Sequence, residues 1–253
     1  MKKLLCLFGA SLLVLTSCSN DGDDNNPATD TLVKEINYID IDGSSEVSKY
    51  TYAGNKIVSI DEYGGKANYT YTGDVITKIV SVDENNEINN VIEYTYVNGK
   101  VATLIESEPG FPALYKISYT YNADGTVSYK TSNINTNTPL ETFGSTGVLT
   151  FKDGNLIKDV RTSVGGNVNT STYEYDAKNN PFKNILGLTL LLDADQSVSV
   201  NNVVKTTEVS SYSGGSSTYV YTTTHTYDGN GFPTEGKNFG NDGAADGTAK
   251  YTY

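Results

Sequence analysis

The feature that most restricts what this chain can fold into is a short unit, Tyr94-Thr95-Tyr96-Val97-Asn98-Gly99-Lys100-Val101, which recurs along most of its length. Tyr94 and Tyr96 are two residues apart, so an extended backbone sets both side chains on one face. Asn98-Gly99 suits a two-residue type I′ turn, because both residues tolerate the positive φ that turn requires. Closing a hairpin there sets Val101 opposite Tyr96. The same register gives two-residue turns at Gly54-Asn55, Gly73-Asp74 and Asp153-Gly154. Units beginning at Tyr119, Tyr173 and His225 are one residue longer and suit three-residue loops with a left-handed Gly or Asn. Tyr251-Thr252-Tyr253 is a last half-unit.

The units begin at 50, 69, 94, 119, 149, 173, 225 and 251, and most intervals are 24 to 26 residues. Such a period holds two strands, a tight turn and a return loop. The interval from 173 to 225 reads as two periods, with a degenerate copy at Val198-Ser199-Val200-Asn201-Asn202-Val203. The predicted fold is all-β: an antiparallel meander of about 14–16 strands, closing into a barrel or a strongly curved sheet. Return loops such as 83–87, 108–112 and 133–141 vary more than the tight turns. A binding surface is therefore expected on their rim.

One apolar segment breaks the pattern. Asn180 suits an N-cap, Pro181 the first helical turn, and Phe182, Ile185 and Leu186 share a helical face. A short helix over about 181–191, plugging the inside of the sheet, is predicted; a buried strand over 188–192 is the alternative.

The start of the chain is a processing signal. Lys2 and Lys3 precede an apolar run, Leu4 to Leu15, too short to span a membrane stably. Leu15-Thr16-Ser17-Cys18 resembles a lipobox, which implies lipidation of Cys18 and cleavage before it. Residues 1–17 are then a lipoprotein signal peptide, and 18–31 the lipidated cysteine with a disordered acidic tether. Residues 32–253 form a single β-repeat domain. The acidic tether resembles that of surface-exposed Bacteroidetes lipoproteins, which implies the outer-membrane surface; the periplasmic face is the alternative. Cys6 leaves with the signal, so the mature chain can form neither an internal disulfide nor a thiolate metal site. The net charge of −12 becomes −14 once Lys2 and Lys3 are removed. That argues against nucleic acid and anionic lipid as partners.

Tyr119-Thr120-Tyr121-Asn122-Ala123-Asp124-Gly125 resembles the tyrosine–aspartate repeats of Rhs-type proteins and of many Bacteroidetes lipoproteins. With Asn179-Asn180-Pro181-Phe182-Lys183-Asn184 and Asp228-Gly229-Asn230-Gly231-Phe232-Pro233-Thr234, residues 33–253 are similar to a Bacteroidetes lipoprotein family of unknown function. The resemblance implies a porin-like β-barrel and no activity.

Chemistry-bearing groupings are sparse. His225 is the only histidine and occupies a tyrosine slot, where packing beside Tyr227 explains it. Asp193/Asp195 and Asp242/Asp246 are the nearest carboxylate pairs, both in turn-like sequence, and nothing marks them as a hydrolytic pair. Residues 83–87 and 241–243 offer oxygen ligands without an EF-hand spacing. Gly229-Asn230-Gly231 reads as a hairpin turn rather than a phosphate loop. With twenty tyrosines and no tryptophan, the tyrosine face is the one surface suited to a glycan or protein ligand. The expectation is a non-enzymatic, surface-displayed binding or scaffold lipoprotein that holds the membrane through Cys18, with no catalytic, cofactor or metal residues. A membrane-spanning pore, favoured by the aromatic C-terminus at Tyr253, and a secreted glycan-active hydrolase are the alternatives.

Overall fold

A computed structural model describes residues 31–192 and 199–253. The signal segment, Cys18, nearly all of the tether and the Asp193/Asp195 pair lie outside the described residues. Sixteen strands form a closed antiparallel barrel in which each pairs with its neighbours in the chain. They begin with β1 (Glu35–Ile39), β2 (Ser45–Ala53), β3 (Lys56–Glu62), β4 (Gly65–Thr72), β5 (Val75–Val82) and β6 (Ile88–Val97). The next five are β7 (Lys100–Ser107), β8 (Ala113–Tyr121), β9 (Val127–Asn135), β10 (Glu141–Lys152) and β11 (Asn155–Ser163). The last are β12 (Val168–Tyr175), β13 (Val203–Tyr212), β14 (Gly215–Tyr227), β15 (Pro233–Phe239) and β16 (Ala245–Thr252). Closure comes from β1 pairing with β16, so the sheet is a barrel rather than an open curved layer.

The repeat unit folds as its sequence dictates. Asn98 and Gly99 have φ of 53° and 74°, and Tyr96 pairs with Val101. Each return strand then carries one extra residue, because the register shifts between Thr95 and Tyr96. The same shift recurs at Thr51/Tyr52, Thr70/Tyr71, Thr150/Phe151, Glu174/Tyr175 and Thr226/Tyr227. Repeated bulges of this kind bend and twist strands, which is what a small closed barrel needs at its rim.

Alternation sends the tyrosines into the lumen and threonines outward. Outside, Thr95 bonds Thr103 and Thr226 bonds Thr234, while Lys78 pairs with Glu93 and Lys205 with Glu174 across neighbouring strands. Inside, Ile57, Ile76, Tyr94, Val101 and Leu104 form the main core with Ile185, Leu188 and Leu191.

Three expectations need correction. The interval from 173 to 225 is one period carrying an insertion: β12 ends at Tyr175, β13 starts at Val203, and residues 199–202 are not a strand. The predicted helix does not form. Residues 181–187 run as successive turns that end in a 3₁₀ turn, Leu188–Leu190. Asn180 does cap the start, its Oδ1 accepting from the Phe182 amide at 2.8 Å. The Leu186 amide, however, is taken by the Asn55 carbonyl at 2.9 Å, and Gly187 is left-handed at φ 77°. Bonds to the barrel replace the helical ladder. The segment still plugs the lumen, but through Ile185, Leu188 and Leu191, while Phe182 and Leu186 are half-buried.

The third correction concerns the rims. The return connections are short, from 63–64 and 213–214 to 83–87 and 240–244. The one long excursion, between Tyr175 and Val203, belongs to the tight-turn rim, and its residues 181–191 form the floor of the barrel.

Candidate functional site

The floor is held by the second aromatic of most units. Backbone pairing between β5 and β6 stops at Lys78–Glu93, which leaves the Ile76 carbonyl facing β6. The Tyr96 hydroxyl donates to it at 2.6 Å. Tyr52, Tyr175 and Tyr253 likewise donate to the carbonyls of Val33, Leu156 and Pro233. Tyr71 accepts from the Ile57 amide and donates to the Leu186 carbonyl in the plug. A buried backbone group left by a bulge needs a partner, and a tyrosine on the next hairpin supplies it. Burial raises the hydroxyl pKa of Tyr52 and Tyr253, and that of Tyr251 to about 12. These are structural phenols.

Asparagines tie the insertion to the turns. The Asn155 Oδ1 accepts from the amides of Val200 and Asn201, and the Asn179 amide donates to Gly231 at 2.9 Å. The Asn179 side chain also donates to the Asn230 carbonyl. The two motifs beginning at Asn179 and Asp228, far apart in sequence, thus meet in space. Asp176 accepts the Tyr227 hydroxyl and the Asn202 amide, fixing the start of the insertion to its end.

Among the described residues two cavities line the lumen above the floor. One, about 200 Å³, is walled by Tyr115 and Tyr119 of β8, Tyr129 of β9, Asp159 and Arg161 of β11 and Tyr173 of β12, with Leu192 beneath. The Tyr129 ring occupies the space over Gly147, where a Cβ would come within 2.1 Å of it, so a larger residue there would displace the ring. Its hydroxyl donates to Asp159 at 3.0 Å. Burial, then the Asp159 charge, raises the Tyr129 pKa, so this phenol stays protonated and is no nucleophile. Arg161 donates from Nε to Ser145 Oγ at 3.1 Å. Ser145 is in turn bonded to Thr131, and both are buried. Among the described residues the two terminal nitrogens of Arg161 have no bonding partner. The cavity thus offers a cation, a carboxylate and several aromatic faces.

The second cavity, about 320 Å³, lies by β13–β16 against Phe182, Tyr221, His225 and Tyr251. His225 sits 3.1 Å from where a Cβ at Gly236 would be, and Nε2 lies 3.2 Å from the Val203 carbonyl. Its ring is tilted against Tyr227 at 6.0 Å. It packs, as its tyrosine slot suggests. Toward the mouth, register puts Glu46, Glu62, Glu106 and Glu208 on the lumen face, and the entrance is acidic.

The other sequence candidates are turn caps. Asp242 Oδ1 accepts from the Ala244 amide, and Asp83 Oδ1 from the amides of Asn85 and Glu87, bonds that hold the Asp83 carboxyl below its ordinary pKa. Asp246 lends only its backbone carbonyl, to Tyr38. Gly229-Asn230-Gly231 is the β14–β15 turn, closed on Asp228. Among the described residues no three His, Cys, Asp or Glu side chains group as a metal site needs. Sequence reasoning passed over Asp159 and Arg161. The available signal was that Arg161 is the sole arginine of an acidic chain, two residues from Asp159 on one strand face.

No family model matches the chain, and no curated protein sequence does. Solved structures do match. A porin-like protein from Bacteroides vulgatus ATCC 8482 superposes with a TM-score of 0.60 at 17% identity, over 88% of this chain and 99% of that one. A porin-like protein from Bacteroides uniformis ATCC 8492 gives 0.50 at 13% identity, over 86% and 95%. The likeness is one of fold: the chain is a porin-like β-barrel.

Proposed function

We propose that this chain is a non-enzymatic envelope lipoprotein of the kind its motifs resemble: a cup anchored through Cys18 to the outer membrane, displayed at the surface, closed toward the membrane and open away from it. One observation carries the reading. The described chain begins at the plugged rim, where Asn184 holds the Thr31 carbonyl at 3.0 Å and Val33 is fully buried. A tether from Cys18 therefore reaches the floor, and the mouth points outward. Ile41, at the mouth and largely exposed, and Lys100, at the floor, test this as single Ile41→Cys and Lys100→Cys variants. On intact cells a membrane-impermeant maleimide should label the first faster. Cys18→Ala should abolish palmitate incorporation; equal labelling of wild type and variant would remove the anchor.

A second reading, a membrane-spanning barrel, draws on the porin-like fold. Its exterior stands against it. Lys78, Lys205 and their carboxylate partners face outward, and a lipid-facing lysine at mid-membrane costs about 2–4 kcal/mol. Steady single-channel currents from the purified protein would favour the pore.

A further inference from the structure

The two rows of tyrosines in the lumen do different things. Tyr52, Tyr71, Tyr96, Tyr175 and Tyr253 have their hydroxyls committed to backbone groups at the floor. Tyr115, Tyr119, Tyr129 and Tyr173 present their ring faces to a cavity beside the only arginine in the chain, and the Tyr129 hydroxyl bonds Asp159 there. Arg161 faces the lumen, is open to solvent there, and among the described residues is anchored through Nε only. Anchoring by Nε leaves the planar fork oriented and its terminal N–H groups available to donate to a ligand's oxygens. Asp159, on the same face of β11, offers the complementary acceptor.

Resting on the cup reading, we infer that this cavity binds a single neutral sugar ring. An apolar face stacks on tyrosine, while adjacent hydroxyls need a donor and an acceptor side by side, which Arg161 and Asp159 supply. At about 200 Å³ the cavity lies below the ~300–1,000 Å³ of sites for larger ligands, so it holds one ring and not an oligosaccharide. Charge selects against acidic sugars. A carboxylate could pair with Arg161, but it would have to pass the lumen-facing Glu46, Glu62, Glu106 and Glu208 and lie beside Asp159. A neutral ring meets neither penalty.

The chain has no tryptophan to mask tyrosine emission, and four of its twenty tyrosines line the cavity, so a ligand-dependent change in tyrosine fluorescence complements the calorimetry. The delipidated mature protein is titrated with methyl glycosides of neutral hexoses and with glucuronate, with calorimetry alongside. Neutral glycosides should saturate, with glucuronate weaker by about ten-fold or more. Arg161→Ala and Asp159→Asn should each weaken binding by about ten-fold, and Arg161→Lys should not restore it. Lys205→Ala on the outer wall should leave binding unchanged, and circular-dichroism melts identify any variant that fails to fold. A preference for glucuronate, or unaltered affinity in folded Arg161→Ala and Asp159→Asn proteins, overturns the site. A blank titration without currents in planar bilayers overturns the site and leaves the cup. Steady currents overturn both.

Discussion

The two rims of this barrel are built by different means. At the mouth, loops close on themselves: Asp42, Asp83 and Asp242 each accept an amide two residues on, and the flanking backbone bonds span only a few residues. At the floor, bonds reach across the chain, from Tyr96 to Ile76, Leu156 to Ser199, and Asn184 to Thr31. The mouth is thus mostly local turns with a few cross-links, such as Tyr38 to Asp246 and Val220 to Asn241, whereas long-range bonds dominate the floor. On the proposed reading, ligand access belongs to the first and stability to the second.

Raising the pH should break the floor first and have the largest effect. Burial raises the pKa of Tyr50, Tyr52, Tyr251 and Tyr253 above the roughly 10 of an unfolded chain, Tyr251 to about 12. Between these values the unfolded chain has lost protons that the folded one keeps. Stability is therefore full below about pH 10 and falls as pH rises through about 12. Denaturant midpoints across that window measure it; a flat profile would mean the phenols are not buried at the floor.

Leu191→Ala tests the plug. Leu191 is 1% exposed, and truncation in such a site costs about 2–5 kcal/mol. Ile88→Ala near the mouth, at 50% exposure, should cost under about 1 kcal/mol. Similar urea midpoints for the two would erase the contrast.

Two smaller changes separate the turn from the clasp. Gly99→Val should cost about 1–3 kcal/mol, since φ is 74°, and Lys100→Val much less. Tyr96→Phe should cost about 1–3 kcal/mol by leaving the Ile76 carbonyl without its partner. Equal melting of Tyr96→Phe and wild type would show that the clasp contributes nothing.

The smallest effect has the opposite sign. Tyr63, at the mouth, holds φ 50° while 78% exposed, a conformation that asparagine adopts more readily. Tyr63→Asn should raise stability by up to about 1 kcal/mol, as a calorimetric melt would register.

What the sequence alone determined is whatever short-range bonds decide. The hairpin register, the Tyr96–Val101 pairing, the left-handed Asn98-Gly99 turn and the all-β repeat follow from spacing and from residues that tolerate positive φ. It also marked 180–192 as apolar and lacking the hairpin period. Its helix was wrong because propensity is local, and the Leu186 amide found a partner in Asn55, far away in the chain. Only the tertiary structure decided that 173 to 225 is one period, since strand pairing and not spacing joins β12 to β13. Closure was left open between a barrel and a curved sheet until β1 was seen to pair with β16, and the floor at the tight-turn rim and the meeting of Tyr129 with Asp159 and Arg161 were not legible. Tyr129 comes from β9 and the charged pair from β11, and their proximity is set by strand pairing and barrel curvature that no window of sequence contains.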